Sequence, residues 1–219
     1  MLNGRSEAIV IVTAIFLALS LVTVGLRCFV RARVVRAFGL DDWTMVAAMI
    51  LNIFFASFGI AGACYGMGQK TEYFRARPDH FRLAALYWWL GQIFYVITCV
   101  VAKVSIIISL LRITINRIHI AILYTVMALT IAIGLLFFFF AIFECNPTDY
   151  FWNRLTKTGK CLDTDILITI AYVYSAVAAV TDFTIGFLPV FIIWSLRMNA
   201  QTKIAIAGFW AWDVLQAPR

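Results

Sequence analysis

Apolar residues run in long blocks along this chain, broken by short polar stretches. Five windows contain no Asp, Glu, Lys or Arg: 8–26, 43–69, 83–102, 118–143 and 166–181. A bilayer core about 30 Å thick needs roughly 20 residues of helix at about 1.5 Å of rise each. The first four windows meet this outright, and the fifth does so by continuing through Asp182 to residue 196. A sixth apolar run, 204–212, stops at Asp213 ahead of Pro218 and is too short to span. The pattern therefore predicts an all-α, polytopic transmembrane helix bundle with five full spans and a truncated sixth helix. It forms one domain over 1–212 with a short tail at 213–219. The sixth run reads either as an interfacial stub or as the start of something longer.

Composition agrees with the pattern. The chain has 219 residues, 63% of them hydrophobic and 13% charged, far from the roughly 45–50% apolar and ~25% charged makeup of soluble domains. The first window exceeds the ~7–15 residues of a signal-peptide core, and Arg27, Arg31, Arg33 and Arg36 follow it closely, so it is expected to stay in the mature protein.

Charge orients the bundle only weakly. Connections one, three and five carry Arg27, Arg31, Arg33, Arg36, Arg112, Arg117, Arg197 and Lys203. The opposite side carries Arg5, Lys70, Arg75, Arg77, Arg82, Arg154, Lys157 and Lys160, a tie. Because the first helix usually dominates, the dense arginines after it favour an outside N-terminus. Cys145 and Cys161 bracket one polar loop. If they pair, that loop faces an oxidising compartment; if they are two free thiols, it gives no such information. Asn146-Pro147-Thr148 is no glycosylation site, since proline blocks it.

Local chemistry marks the helix ends. Asp41 and Asp42 precede Trp43, where carboxylates can cap backbone N–H groups at a helix start or make a cytoplasmic contact. Trp43, Tyr87, Trp88, Trp89, Tyr150, Trp152 and Trp194 lie where an interfacial aromatic belt belongs. Gly62 with Gly66, and Ala171, Ser175 and Ala179, form small-residue faces suited to packing within the bundle or to homodimerisation. Pro189 frees the carbonyl of Ile185 and is expected to shape the fifth helix, as a fixed kink or as a hinge.

Lys103 stands out at depth in the third window's helix. Counting back from the inner helix ends places Asp182, the only charge in the fifth span, within four residues of its level, about 6 Å of rise. Charged residues at depth cost about 2.5–3.5 kcal/mol each on insertion scales and turn toward partners. Three readings stand: a Lys103–Asp182 ion pair, a snorkelling lysine with a solvated or protonated aspartate, or polar partners such as Tyr95, Tyr172 or Thr181.

No catalytic constellation is legible. His80 and His119 fall on opposite sides of the bundle, and no nucleophile elbow or phosphate-binding glycine loop occurs. A non-enzymatic protein without cofactor or metal is expected. The net charge of +7 is spread over short loops, so the Arg27 to Arg36 run suits anionic lipid rather than nucleic acid.

Taken in order, several motifs resemble the fungal rhodopsin-domain integral membrane proteins, a receptor-like seven-helix class. They are Gly39-Leu40-Asp41-Asp42-Trp43, Gly66-Met67-Gly68, Lys103-Val104-Ser105, Leu110-Leu111-Arg112, Cys145-Asn146-Pro147 with Trp152, then Cys161, Asp182, Pro189, and Leu196-Arg197-Met198 with Lys203. They cover about residues 8–208. The resemblance implies an outside N-terminus, an external loop closed by Cys145 and Cys161, and a G-protein-coupled-receptor-like architecture in which Lys103 and Asp182 belong to a polar core. Lys70 stands where the family often has histidine. Retinal binding is not implied, because opsins attach retinal to a last-helix lysine and that helix is missing here. The resulting expectation is a receptor-like protein of the plasma membrane sensing an extracellular cue through a pocket among helices two, three and five. Its partners would be the bilayer, a small-molecule or lipid ligand, and a G protein. The rivals are a transporter or channel with a polar path at Lys103 and Asp182, and a non-functional truncated fragment.

Overall fold

The computed structural model describes residues 5–69, 73–74, 77–154 and 156–195. Expectations placed on Lys70, Arg197, Lys203 and the run 204–212 lie outside the described residues.

Five long helices are present: α1 (Arg5–Phe29), α2 (Leu40–Cys64), α3 (Pro78–Ile113), α4 (Arg117–Ile142) and α5 (Thr164–Ser195). Each is long and apolar enough to cross a membrane. Most extend beyond the uncharged windows. α1 continues through a π-helical turn, Val30–Val34, so much of its arginine cluster is helical. α3 reaches 36 residues, about 54 Å at helical rise.

Side-chain chemistry sets the ends. Pro78 opens α3 at a position where its missing N–H has no partner to lose. Asn116 caps α4 by accepting a hydrogen bond from Ile118 N–H at 3.0 Å. The α2–α3 turn uses Gly66 and Gly68 at φ of +98° and +91°, backbone that L side chains rarely adopt. A Cβ at Gly66 would also press against the ring of Tyr73 at 2.7 Å.

The helices pack in chain order, with the closest partnership between α2 and α3. α5 rests on α4 and touches α3 only sparingly. An apolar cluster of Ile107, Leu110, Leu123, Val126, Ile185 and Leu188 joins α3, α4 and α5. Gly134 lets α4 approach α3, since a Cβ there would run into Val100. Many large apolar side chains instead point outward, among them Val22, Leu26, Phe139 and Phe183, as expected where the surrounding medium is hydrocarbon.

One expectation about a helix face is corrected. Ala171, Ser175 and Ala179 are exposed, so they do not pack within the described bundle. The indole N–H of Trp89 donates to the Ala141 carbonyl at 2.9 Å and its ring meets Trp152 at 5.2 Å. Trp43 keeps the exposed position expected of an anchor.

Trp152 belongs to the α4–α5 loop, which β1 (Cys145–Asn146) and β2 (Lys160–Cys161) close as a small antiparallel ladder. Cys145 and Cys161 are opposite one another in that ladder and form a disulfide. Beneath the loop, burial holds the Glu144 carboxyl above the usual carboxylate range, with Arg154 pulling weakly the other way.

Candidate functional site: two charged clusters in the bundle

Lys103 and Asp182 meet. The Lys103 ammonium lies 2.9 Å from Asp182 Oδ1, and it also donates to Thr181 Oγ1 at 3.0 Å and to the Ala178 carbonyl at 3.2 Å. An ammonium has three N–H donors, so each finds an acceptor on α5. Tyr172 faces away and is largely exposed. The expectation that both charges turn inward holds for Lys103 alone: its side chain is 15% exposed, whereas that of Asp182 is 58% exposed. Beside Lys103 lies a cavity of about 20 Å³ that Thr130 also lines. The buried Thr130 hydroxyl has no partner among the described residues, and the space suits about one water.

A second cluster takes in Ser105, Ser109 and Arg112 further along α3, where α1, α2 and α3 converge. Asp41 and Asp42 occupy the first turn of α2 with side chains only 4% and 0% exposed. Arg27 reaches both, at 3.2 Å to Asp41 Oδ2 and 3.3 Å to Asp42 Oδ1, and donates to Ser109 Oγ at 2.9 Å. Arg31 stands one turn on, at 3.7 Å and 3.8 Å from the same two oxygens. Arg112 approaches Asp41 Oδ1 at 3.8 Å.

The backbone completes this cluster. Asp42 Oδ2 accepts the Gly39 N–H at 3.1 Å, so the capping role expected of it is present. Ser105 donates to the Asp41 carbonyl at 2.6 Å. Gly39 has no room for a side chain, because a Cβ would meet the Asp41 carboxylate.

Three guanidinium groups thus surround two buried carboxylates, an arrangement suited to arginine's fixed fork of donors. The lipid-facing role expected for the whole arginine run is corrected for Arg27 and Arg31. Sequence reasoning missed Arg27, Arg31 and Ser109 as partners. The available signal was the spacing: two arginines one turn apart, then a connection short enough to fold α2's first turn back beside them.

Pro147 precedes the short helix Thr148–Tyr150 in the disulfide-closed loop. Pro189 is buried within α5. His80 packs edge-on against Tyr65 and Tyr73. No group of three or more His, Cys, Asp or Glu able to hold a metal occurs among the described residues.

The sequence pattern of the fungal rhodopsin domain matches residues 26–215. The chain belongs to the fungal rhodopsin domain family. A SAT4 family membrane protein of Emericella nidulans is 30% identical over 155 residues, which cover 67% of this chain and 38% of that protein. A polyenoic acids biosynthesis gene cluster protein, Ba17b, of Metarhizium anisopliae is 25% identical over 202 residues, covering 88% of this chain and 53% of its own. The chain therefore spans about two fifths to half the length of these curated relatives. No solved structure matches it. For this fungal rhodopsin domain, the match takes in both charged clusters and the disulfide-closed loop.

Proposed function

We propose that the chain is a receptor-like membrane protein of fungal type, acting by binding and conformational change rather than catalysis. It would lie in the plasma membrane with its N-terminus and disulfide-closed loop outside. The N-terminal end of α1, the Gly66 to Gly68 turn and the Cys145–Cys161 loop share one end of the bundle, and disulfides persist in oxidising compartments. The Arg27 and Arg112 cluster marks the other end, in keeping with a cytoplasmic side rich in arginine.

The observation that carries this reading is the Lys103–Asp182 pair. It ties α5 to α3 where these helices otherwise touch little, so its making and breaking would give α5 two positions. A cue outside that favours one position shifts that equilibrium, and a G protein at the arginine-rich end would read it. The transporter reading gains nothing from the cavity beside Lys103, which admits about one water.

The test is guanine-nucleotide exchange on a fungal G protein reconstituted with this chain. Lys103→Met, which releases α5, should change the basal exchange rate. Exchange that is the same with wild type, with the variant and without either refutes the reading.

A further inference from the structure

We infer that Arg33, Arg36 and Arg117 are a lipid-facing set of cations, through which the arginine-rich end of the bundle prefers anionic phospholipids to zwitterionic ones. The structure divides the arginines of this end by helix face. Arg27, Arg31 and Arg112 turn to Asp41 and Asp42. Arg33, Arg36 and Arg117 are exposed and have no ion pair among the described residues.

Each of these three stands at the end of an outward apolar face. On α1, Val22, Leu26 and Phe29 are exposed, and Arg33 follows one turn on, in the π-helical extension. On α4, Arg117 comes one turn ahead of Ala121 and Tyr124, which begin a stripe that Ile131 and Leu135 continue. Arg36 precedes the exposed stripe of Leu40, Trp43, Ile50 and Phe54 on α2, at a bend where its own φ is +51°. Residues three, four and seven apart share a helix side. The faces that meet acyl chains therefore run unbroken to these arginines, at the level where hydrocarbon gives way to headgroups.

Charge separates the two ends. Among the described residues, Arg27, Arg31, Arg33, Arg36, Arg112 and Arg117 share one end with only Asp41 and Asp42. At the other end, Arg5, Arg77, Arg82, Arg154, Lys157 and Lys160 are matched in number by Glu7, Asp79, Glu144, Asp149, Asp163 and Asp165. The unmatched positive charge of the described residues thus sits at one end.

The chemistry selects the lipid class. A guanidinium fork pairs with phosphate, which every phospholipid carries. Net charge makes the choice: a choline group cancels the phosphate and is repelled by arginine, whereas a serine headgroup leaves one negative charge to be attracted. Lipid fits this surface better than a soluble protein does, because the arginines continue faces directed at hydrocarbon. The preference holds whichever side of the membrane this end occupies, and whether or not the chain signals.

The test is photo-crosslinking in phosphatidylcholine nanodiscs with a phosphatidylcholine probe whose diazirine lies near the top of its acyl chain, read by peptide mass spectrometry. Unlabelled phosphatidylserine should displace the probe from 29–43 and 117–124 about fivefold better than added phosphatidylcholine, the effect of one arginine near an anionic surface. At the opposite end of α1 and α4 the two lipids should compete equally. Replacing all three, as Arg33→Gln, Arg36→Gln and Arg117→Gln together, should keep the adducts, because the apolar faces remain, and lose the preference. In the wild type, about 0.5 M sodium chloride should shrink the preference by screening. Equal competition at both ends of the wild type, or a preference that survives the triple substitution, would overturn the proposal. A preference indifferent to salt would do the same even if the triple variant fails to fold.

Discussion

Lys103 and Asp182 share a 2.9 Å ion pair but not an environment: the lysine is 15% exposed and the aspartate 58%. Removing the aspartate leaves an ammonium inside the bundle with two neutral acceptors, Thr181 and Ala178. Removing the lysine leaves an unpaired carboxylate at depth on a face that meets hydrocarbon, where a charge costs about 2.5–3.5 kcal/mol. Loss of a buried pair's partner costs about 3–5 kcal/mol. Asp182→Asn and Lys103→Met should therefore each destabilise by about 3 kcal/mol. The double variant should recover most of the loss seen in either single variant. Thermal unfolding in one detergent orders the three, and a double variant no more stable than the worse single would refute the pairing.

The Arg27 cluster predicts a different order. Asp42 is wholly buried, caps α2 and faces Arg27 and Arg31, so Asp42→Ala should cost about 3 kcal/mol or more. Arg31→Gln should cost less, its contacts being longer. Arg112→Gln should cost under about 1 kcal/mol, because its side chain is 48% exposed and stands 3.8 Å from Asp41. Unfolding midpoints that rank Arg112 above Asp42 would contradict this account of the cluster.

The number of spans was legible because lipid demands an uninterrupted apolar run, a requirement no tertiary contact relaxes. The level of Lys103 with Asp182 was legible for the same reason, since helical rise converts residue counts into depth. The Arg27 cluster was not. An uncharged window ends at the first arginine, whereas the helix continues past it, and Arg27 and Arg31 then point at carboxylates on the next helix. Which way a side chain points on a helix that is apolar nearly all round is set by neighbours that periodicity does not reveal. The same limit misplaced Ala171, Ser175 and Ala179 in the interior.

Cys64 offers a direct reading of orientation. It ends α2 on the side of the disulfide-closed loop, and it is an exposed free thiol, whereas Cys28 lies toward the opposite end of α1. With the N-terminus outside, a membrane-impermeant maleimide added to intact cells should label the wild type, and Cys64→Ser should lose most of that label. Labelling that appears only after permeabilisation would place this end inside.

The disulfide should matter locally. Cys145 and Cys161 are 16 residues apart, and closing a loop of that size restricts the unfolded chain by about 3 kcal/mol. Cys161→Ser should lose stability of that order. It should also loosen Trp152 from Trp89, seen as faster hydrogen exchange in 144–161 with α1 and α2 unchanged. Unaltered exchange in that loop would mean that the two-residue ladder and its aromatic packing hold it without the bond.

Glu144 gives the bundle a pH dependence with a definite sign. Burial raises its carboxyl pKa, and Arg154 opposes this only in part. The unfolded chain keeps an ordinary carboxyl, so from the usual carboxylate range up to the raised native value the folded protein binds more protons. Stability then falls as pH rises through that interval, and the contribution is fully present below it. Glu144→Gln removes the titration. Thermal midpoints from acid to neutral pH should therefore decline less steeply in the variant than in the wild type, and Arg154→Gln should steepen the decline, because it removes the one charge that favours the ionised form. Identical slopes in all three proteins would mean that the carboxyl stays hydrated beside the loop.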